Sequence, residues 1–465
     1  MRPNDAAPAS PAMKPGLARS PHTLAFHRGI FEEHLDEAAF LYELHLSRAG
    51  NPACGWRELA DIEERLELRI DALTVGRGLA QEVCAQRVAA GTPAEVFAAL
   101  CVSCRLGNAA STAEILQNLD PGDEAQLQAA KRALCLELPA HWHGFVEKTV
   151  SQRGDATAAL LTAVGAHLRL PLGPALLGVL RAGQPASLPV VEALGRLQVR
   201  EAKPELERCL SEPGLRAPAL LALCRIGAHE ALRLSYGAAR TEAWPRIAIG
   251  LAGDRQGLAA LLSVARAGDA DASCLHALGL LGDPSALEAL CAYLSHPELA
   301  EPAAMALQWM TGADLLEEVF VPEPIDEDAL TASELHAWRQ HGQAPHRPDG
   351  RPEGETVHRL SQSPPHWQTW LAKHGPSLNP QWRYRHGQPA SPAVLLERLV
   401  DARSHLLVRH FASLELSIRY GCRLPFHPEA PVAEQVRNLQ ALSDWVHVEA
   451  GRFIPGQWYF DGWPL

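Results

Sequence analysis

One short motif of small and apolar residues returns eight times along the middle of the chain, and it limits the fold more than any other feature. It begins at Ala99 (ALCVSCRLG), Ala133 (ALCLEL), Ala163 (AVGAHL), Ala193 (ALGRLQ), Ala222 (ALCRIG), Ala248 (AIGLAG), Ala277 (ALGLLG) and Ala306 (ALQWMTG). The spacings are 34, 30, 30, 29, 26, 29 and 29 residues. A period near thirty made only of helical segments signals stacked helix pairs. Ala and Gly at the repeated positions let neighbouring helices approach, and Leu, Ile and Val fill the seam. One unit cannot bury both of its faces, so each needs neighbours. The expected architecture is all-α: a right-handed superhelix of short helix pairs between two flanking helical regions.

The clearest unit spans 277–298. Gly282 is placed to end the first helix in the left-handed conformation. Asp283 is placed to cap the next, with Pro284 at its first position. Leu287, Leu290 and Leu294 form the buried stripe. Asp254 holds the corresponding capping place one unit earlier.

This unit resembles the bacterial HEAT-like repeat, including the short form of phycobilin-lyase-type proteins. The resemblance implies a helical solenoid and leaves function open, because such arrays serve many roles.

Before the array, Phe31, Leu35, Ala38, Tyr42 and Leu46 share one face of a helix over 24–49, stopped by Gly50, Asn51 and Pro52. A second helix carries Trp56, Leu59, Ile62, Leu66, Ile70 and Leu73. After Gly312 the composition changes. Residues 321–365 are rich in Pro, His, Gly and acids and read as an exposed linker with one short helix around 329–340. Beyond them a helix from Ser391 to Gly421 and another over 431–450 are expected, then a Gly/Pro-broken end, RFIPGQWYFDGWPL, that packs by its aromatics. The expected regions are a disordered tail (1–22), an N-terminal helical domain (23–90), the repeat array (91–312), the linker (313–365) and an aromatic-rich, mainly helical C-terminal domain (366–465).

Lys and Arg number 42 and Asp and Glu 54, a net charge of −12. That balance disfavours direct nucleic-acid or membrane-surface binding. No apolar run is long enough for a spanning helix, and the N-terminus lacks the apolar core of a secretory signal. Ten cysteines in 465 residues are no disulfide framework. The expected setting is the cytoplasm.

Chemical motifs are sparse. Cys101-x-x-Cys104 has no second pair to complete a zinc set and falls in an apolar helix, so core packing is expected. His141 and His143 would point to different sides of a helix and could chelate on an extended segment, but no nearby Cys or acidic cluster completes a set, so a loop or inter-repeat contact is expected. His27 and His34 lie about 10 Å apart on one, too far to share a metal ion. The histidines at 336, 341, 346, 358, 366 and 374 follow no ligand spacing. Glu63-Glu64 and Glu317-Glu318 read as solvated faces. Phosphate-loop, dinucleotide, HExxH and GxSxG signatures are missing. No catalytic residue, metal or cofactor is therefore expected. Trp367, Trp370, Trp382, Arg383, Tyr384 and Arg385 form a dense set of the residue types that anchor interfaces, and are the candidate partner-binding residues.

The order of parts is similar to a bacterial HEAT-like repeat family found mainly in proteobacteria near type VI secretion effector clusters. An amphipathic region ending RLELRIDALTVGR leads, the short array follows, and a Trp/Pro-rich region closes. The resemblance implies a non-catalytic scaffold that binds a secreted effector toxin or its carrier. An immunity protein that sequesters its toxin, such as a basic nuclease domain, is the expected role. The alternatives are an adaptor or chaperone that loads effectors, and a lyase-like enzyme.

Overall fold

Among the described residues, twenty-three α-helices and three small two-stranded sheets form. The computed structural model describes residues 21–51, 54–88, 91–152, 154–183, 185–323, 325–342 and 354–465. The fold is all-α. Among the described residues between Ala133 and Gly312 there is no strand. Almost all of the expected tail over 1–22 lies outside the described residues; its last two residues open the helix Pro21–Gly50.

The repeat motif has a direct physical reading. Successive first helices pack on one another: Pro93–Arg105 on Glu124–Glu137, that helix on Ala156–His167, and that one on Leu188–Arg196. In the same way Arg246–Ala252 packs on Ala272–Leu281, and Ala272–Leu281 on Ala300–Thr311. The third position of the motif is where they touch. A Cβ added at Gly195, Gly250 or Gly279 would stand 2.7 Å from the Cα of Ala222, Ala277 or Ala306, the first position of the following motif. Glycine in one unit thus meets alanine in the next, and any larger residue would force the helices apart.

The residue that ends the helix is the motif's sixth or seventh, and in the first unit its ninth. Gly107, Gly227, Gly282 and Gly312 lie there in the left-handed conformation. Two units place Arg169 (φ 55°) and Gln198 (φ 55°) there instead. A side chain in that conformation costs about 1–2 kcal/mol, of which the greater unfolded-state freedom of glycine returns about half. Gln198→Gly is therefore expected to stabilise the fold by about 0.5–1 kcal/mol, seen as a higher urea midpoint at constant slope. A lower midpoint would show that this backbone is unstrained.

The described residues group into two compact units. Of these residues, one unit comprises those within 21–222, 401–409 and 426–438; the other comprises those within 223–400, 410–425 and 439–465. The units therefore do not follow the expected boundaries at 90, 312 and 365. The cut falls within the repeat array, and both units draw on the C-terminal region.

In the first unit the helix Pro21–Gly50 packs on Ala60–Val75 and Pro93–Arg105 through Leu35, Ala38 and Tyr42, with Tyr42 stacked on Phe97 at 4.3 Å. Arg105 gathers Glu67, Asp71 and Glu137 at 2.5–2.6 Å. Trp56 lies against the Arg57 and Arg409 guanidiniums and donates its indole N–H to Asp401 O at 3.1 Å.

Two expectations need correction. The helix expected from Ser391 to Gly421 is broken into Pro392–Val400 and Leu406–Tyr420. Asp401 turns the chain between them by accepting from Arg403 N, and Ala402 O accepts from Trp56 N instead of continuing the helix. The exposed linker contains the expected helix, as Ala332–His341, but also an antiparallel ribbon of Leu316–Pro322 with Gly354–Leu360. Val319, Phe320 and Val321 favour extended backbone. Residues 343–353 of that linker lie outside the described residues.

Candidate functional site

The densest polar chemistry lies in the second unit, where arginines from C-terminal segments reach the ends of successive first helices. The last four carbonyls of a helix have no partner within it, and they form the negative end of its dipole. Here each end is met by a donor. Arg423 donates to Arg225 O at 3.3 Å. Arg419 donates to Gly250 O at 3.1 Å and Gly253 O at 3.2 Å. Arg385 donates to Gly279 O at 2.9 Å and to Leu280 O. Arg383 donates to Leu280 O at 3.1 Å and Leu281 O at 2.7 Å. At the last helix, the main-chain N–H groups of His386 and Gly387 take over, donating to Trp309 O and Met310 O at 2.9 Å.

Two tight turns deliver these groups. Tyr384–Arg385 pairs with Gln388–Pro389 around His386-Gly387, and Tyr459–Phe460 pairs with Trp463–Pro464 around Asp461-Gly462. Both central pairs have positive φ, the two-residue hairpin geometry that suits strand twist. Asp461 also pairs with Arg423. The helix-ending glycines make room for the turns. A Cβ on Gly227 would meet Asp461 Oδ2 at 2.7 Å, one on Gly282 would meet Tyr384 O at 2.4 Å, and one on Gly312 would meet the His386 carbonyl carbon at 2.7 Å.

Glu415 sits at the centre. It accepts from Arg383 at 2.5 Å and Arg385 at 2.9 Å, and lies 3.5 Å from Arg419 Nε. All four side chains are buried. Burial alone would raise the Glu415 carboxyl, but Arg385, Arg383 and Arg419 outweigh it and bring it down to about 2. The carboxylate therefore stays ionised at neutral pH and is a poor proton acceptor. One carboxylate faces three guanidiniums, and the helix carbonyls carry the remaining compensation. Trp458 lies under this group, its ring centroid 5.5–5.8 Å from the guanidinium carbons of Arg383, Arg255 and Arg419. The arrangement locks the C-terminal segments onto the helix ends.

These positions revise the candidate partner-binding set. Arg383, Tyr384 and Arg385 are inside, as is Trp367, whose indole donates to Ser361 O at 2.7 Å. No partner can touch these four in this conformation. Trp370 is half-buried against His374, with ring centroids 4.8 Å apart. Trp382 is 41% exposed and alone of the six presents a broad apolar surface. Trp463, not singled out from sequence, is 70% exposed. Glu415 and Arg419 were also missed. Their signal was present: two charges four residues apart on the apolar face of Leu414, Leu416 and Ile418.

Two other clusters have readable chemistry. Cys101 and Cys104 are buried, and burial pushes the Cys104 thiol up to about 12, so it stays protonated. Among the described residues no three His, Cys, Asp or Glu side chains gather to hold a metal ion. Ser361 lies 2.9 Å from His366 Nδ1 and 3.1 Å from Glu317 Oε2. Here the serine bridges imidazole and carboxylate, whereas a nucleophile triad places the imidazole in the middle. Ser361 is also fully buried and its hydroxyl accepts from Ser363 N, so it braces the start of the helix Pro364–His374.

No described helix is long and apolar enough to cross a membrane. No protein-family model matches the chain, and neither does any curated protein or solved structure.

Proposed function

We propose that this chain is a non-catalytic protein-binding scaffold. The observation that carries the reading is the contrast between its sealed polar centre and its open aromatic surface. Arg383, Arg385, Glu415 and Arg419 bond to main chain and to one another, away from solvent. Phe26, Phe40 and Phe145 in the first unit, and Trp382 and Trp463 in the second, face solvent. Large exposed aromatics are the side chains that anchor partner proteins.

The similarity in layout to HEAT-like proteins of type VI secretion loci supports a secreted effector toxin, or its carrier, as the partner. Immunity by sequestration in the cytoplasm is the role we assign. The net charge of −12 suits a basic toxin domain such as a nuclease and disfavours direct nucleic-acid binding. Co-expression with the effector encoded beside it tests this: the two should co-purify and the producing cell should survive. Continued killing without co-purification overturns the reading. Deletion that abolishes secretion without sensitising the cell to its sisters overturns the immunity role in favour of an adaptor.

A further inference from the structure

The ribbon of Leu316–Pro322 and Gly354–Leu360 is unusual in this helical fold. A two-stranded ribbon is marginal on its own and gains from packing or from a third strand. Gly354–Leu360 lies against the helix Ala300–Thr311. Leu316–Pro322 pairs with it on one side, and its other edge has no strand partner among the described residues. Leu316, Glu318 and Phe320 alternate on one face of this strand, with Leu316 58% and Phe320 43% exposed. An exposed edge with apolar side chains is a template for another strand.

Charge decides which strand. Between Gly312 and Arg339 the chain has no lysine or arginine, but it has Asp314, Glu317, Glu318, Glu323, Asp326, Glu327, Asp328 and Glu334. Glu317 is taken by Arg359 and Glu327 by Arg339, whereas Glu318 is largely in solvent, with His358 3.9 Å away. Glu323, Asp326 and Asp328 are exposed beyond the end of the strand. A second copy of the chain would bring these carboxylates together, and like charges on facing strands repel.

We propose that the edge of Leu316–Pro322 binds an extended basic segment of a partner protein by strand addition. Main-chain hydrogen bonds would supply the pairing. Leu316 and Phe320 would cover alternate apolar side chains, and Glu318 with the following acids would select lysine or arginine. The proposal rests on the protein-binding reading above and specifies its partner chemistry.

The test uses the full chain and two extended peptides, one alternating lysine with valine and one alternating glutamate with valine. Hydrogen exchange should show new protection of the 316–322 amides with the lysine peptide. Binding should weaken by about tenfold when salt rises from about 0.05 to about 0.5 M, as screening shortens the range of charge attraction. Glu318→Lys combined with Phe320→Ser should weaken it to the same degree while leaving the thermal midpoint in place. Equal binding of the glutamate peptide, or binding with no protection of 316–322, overturns the proposal. So does protection of the strand that grows with protein concentration and without peptide, which marks self-pairing. The scaffold reading fails on effector capture and this one on strand protection, so a chain that captures its effector with 316–322 unprotected overturns this proposal alone.

Discussion

Replacing Glu415 with glutamine is expected to destabilise the protein by about 3–5 kcal/mol, the cost of leaving buried charges without their counterion. Glutamine keeps the size of the side chain but removes the carboxylate that pairs with Arg383, Arg385 and Arg419. It also turns an amide donor toward groups that are themselves donors. The helix carbonyls still accept from the three arginines, so the loss should fall short of complete unfolding. Glu327→Gln is the contrasting change. Its partner Arg339 is exposed, and such a pair contributes about 0–1 kcal/mol.

The effect has a pH signature whose sign follows from the direction of the shift. A carboxyl depressed in the folded state contributes stability that is complete above its unfolded pKa and is lost as pH falls through the folded one. For Glu415 that window runs from the ordinary carboxyl value down to about 2. The native chain should therefore lose about 3 kcal/mol from this group between about pH 4.5 and pH 2, and the glutamine variant should lack that component. Urea unfolding of both chains at pH 7, 4.5 and 3 measures it. A gap between them that stays constant as pH falls would show that Glu415 is not held ionised by the arginines.

This centre was hard to read for a reason of distance. Arg383-x-Arg385 sits among tryptophans, and locally that composition resembles an interface anchor. Its partners are far away in sequence: Glu415 lies about thirty residues on, and the helix carbonyls at Gly279, Leu280 and Leu281 lie about a hundred residues back. Nothing local marks a guanidinium that will close a helix end. The repeat array was legible because its rules are local. Gly279 meets Ala306 in the following motif, Gly282 ends its own helix, and the Asp283 carboxylate accepts from Ser285 N at 2.9 Å, as capping spacing requires.

The two misread elements follow the same division. The break at Asp401 depends on Trp56, 345 residues earlier. The strand Leu316–Pro322 is completed by residues 354–360, beyond an acidic, proline-bearing stretch that by itself looks like a linker. What was legible is what neighbouring residues decide; what was missed is decided by contacts that only the folded chain brings together.

Gly282 combines the local and distant constraints, and its replacement by alanine is the second large effect we expect. Its φ of 73° already disfavours any side chain, at about 1–2 kcal/mol. An added Cβ would also stand 2.4 Å from Tyr384 O, a main-chain atom of the turn that carries Arg383 and Arg385. That turn is held by Tyr384 N donating to Gly282 O at 2.7 Å, so relief of the clash requires the turn to shift away from the helix end. Overpacking of this kind adds about 1–3 kcal/mol, for a total of about 2–5 kcal/mol.

Two glycines in the same unit separate these contributions. Gly268 has the same left-handed backbone, with φ 85° and nothing within 4 Å of an added Cβ, so Gly268→Ala should cost only about 1 kcal/mol. Gly279 lies within a helix, and its Cβ would press on Ala306, so Gly279→Ala should cost about 1–3 kcal/mol with no backbone penalty. Urea midpoints at a common slope rank the three variants. If Gly282→Ala loses no more than Gly268→Ala, the Tyr384 turn does not press on that helix end, and the arginines it carries cannot be what closes it.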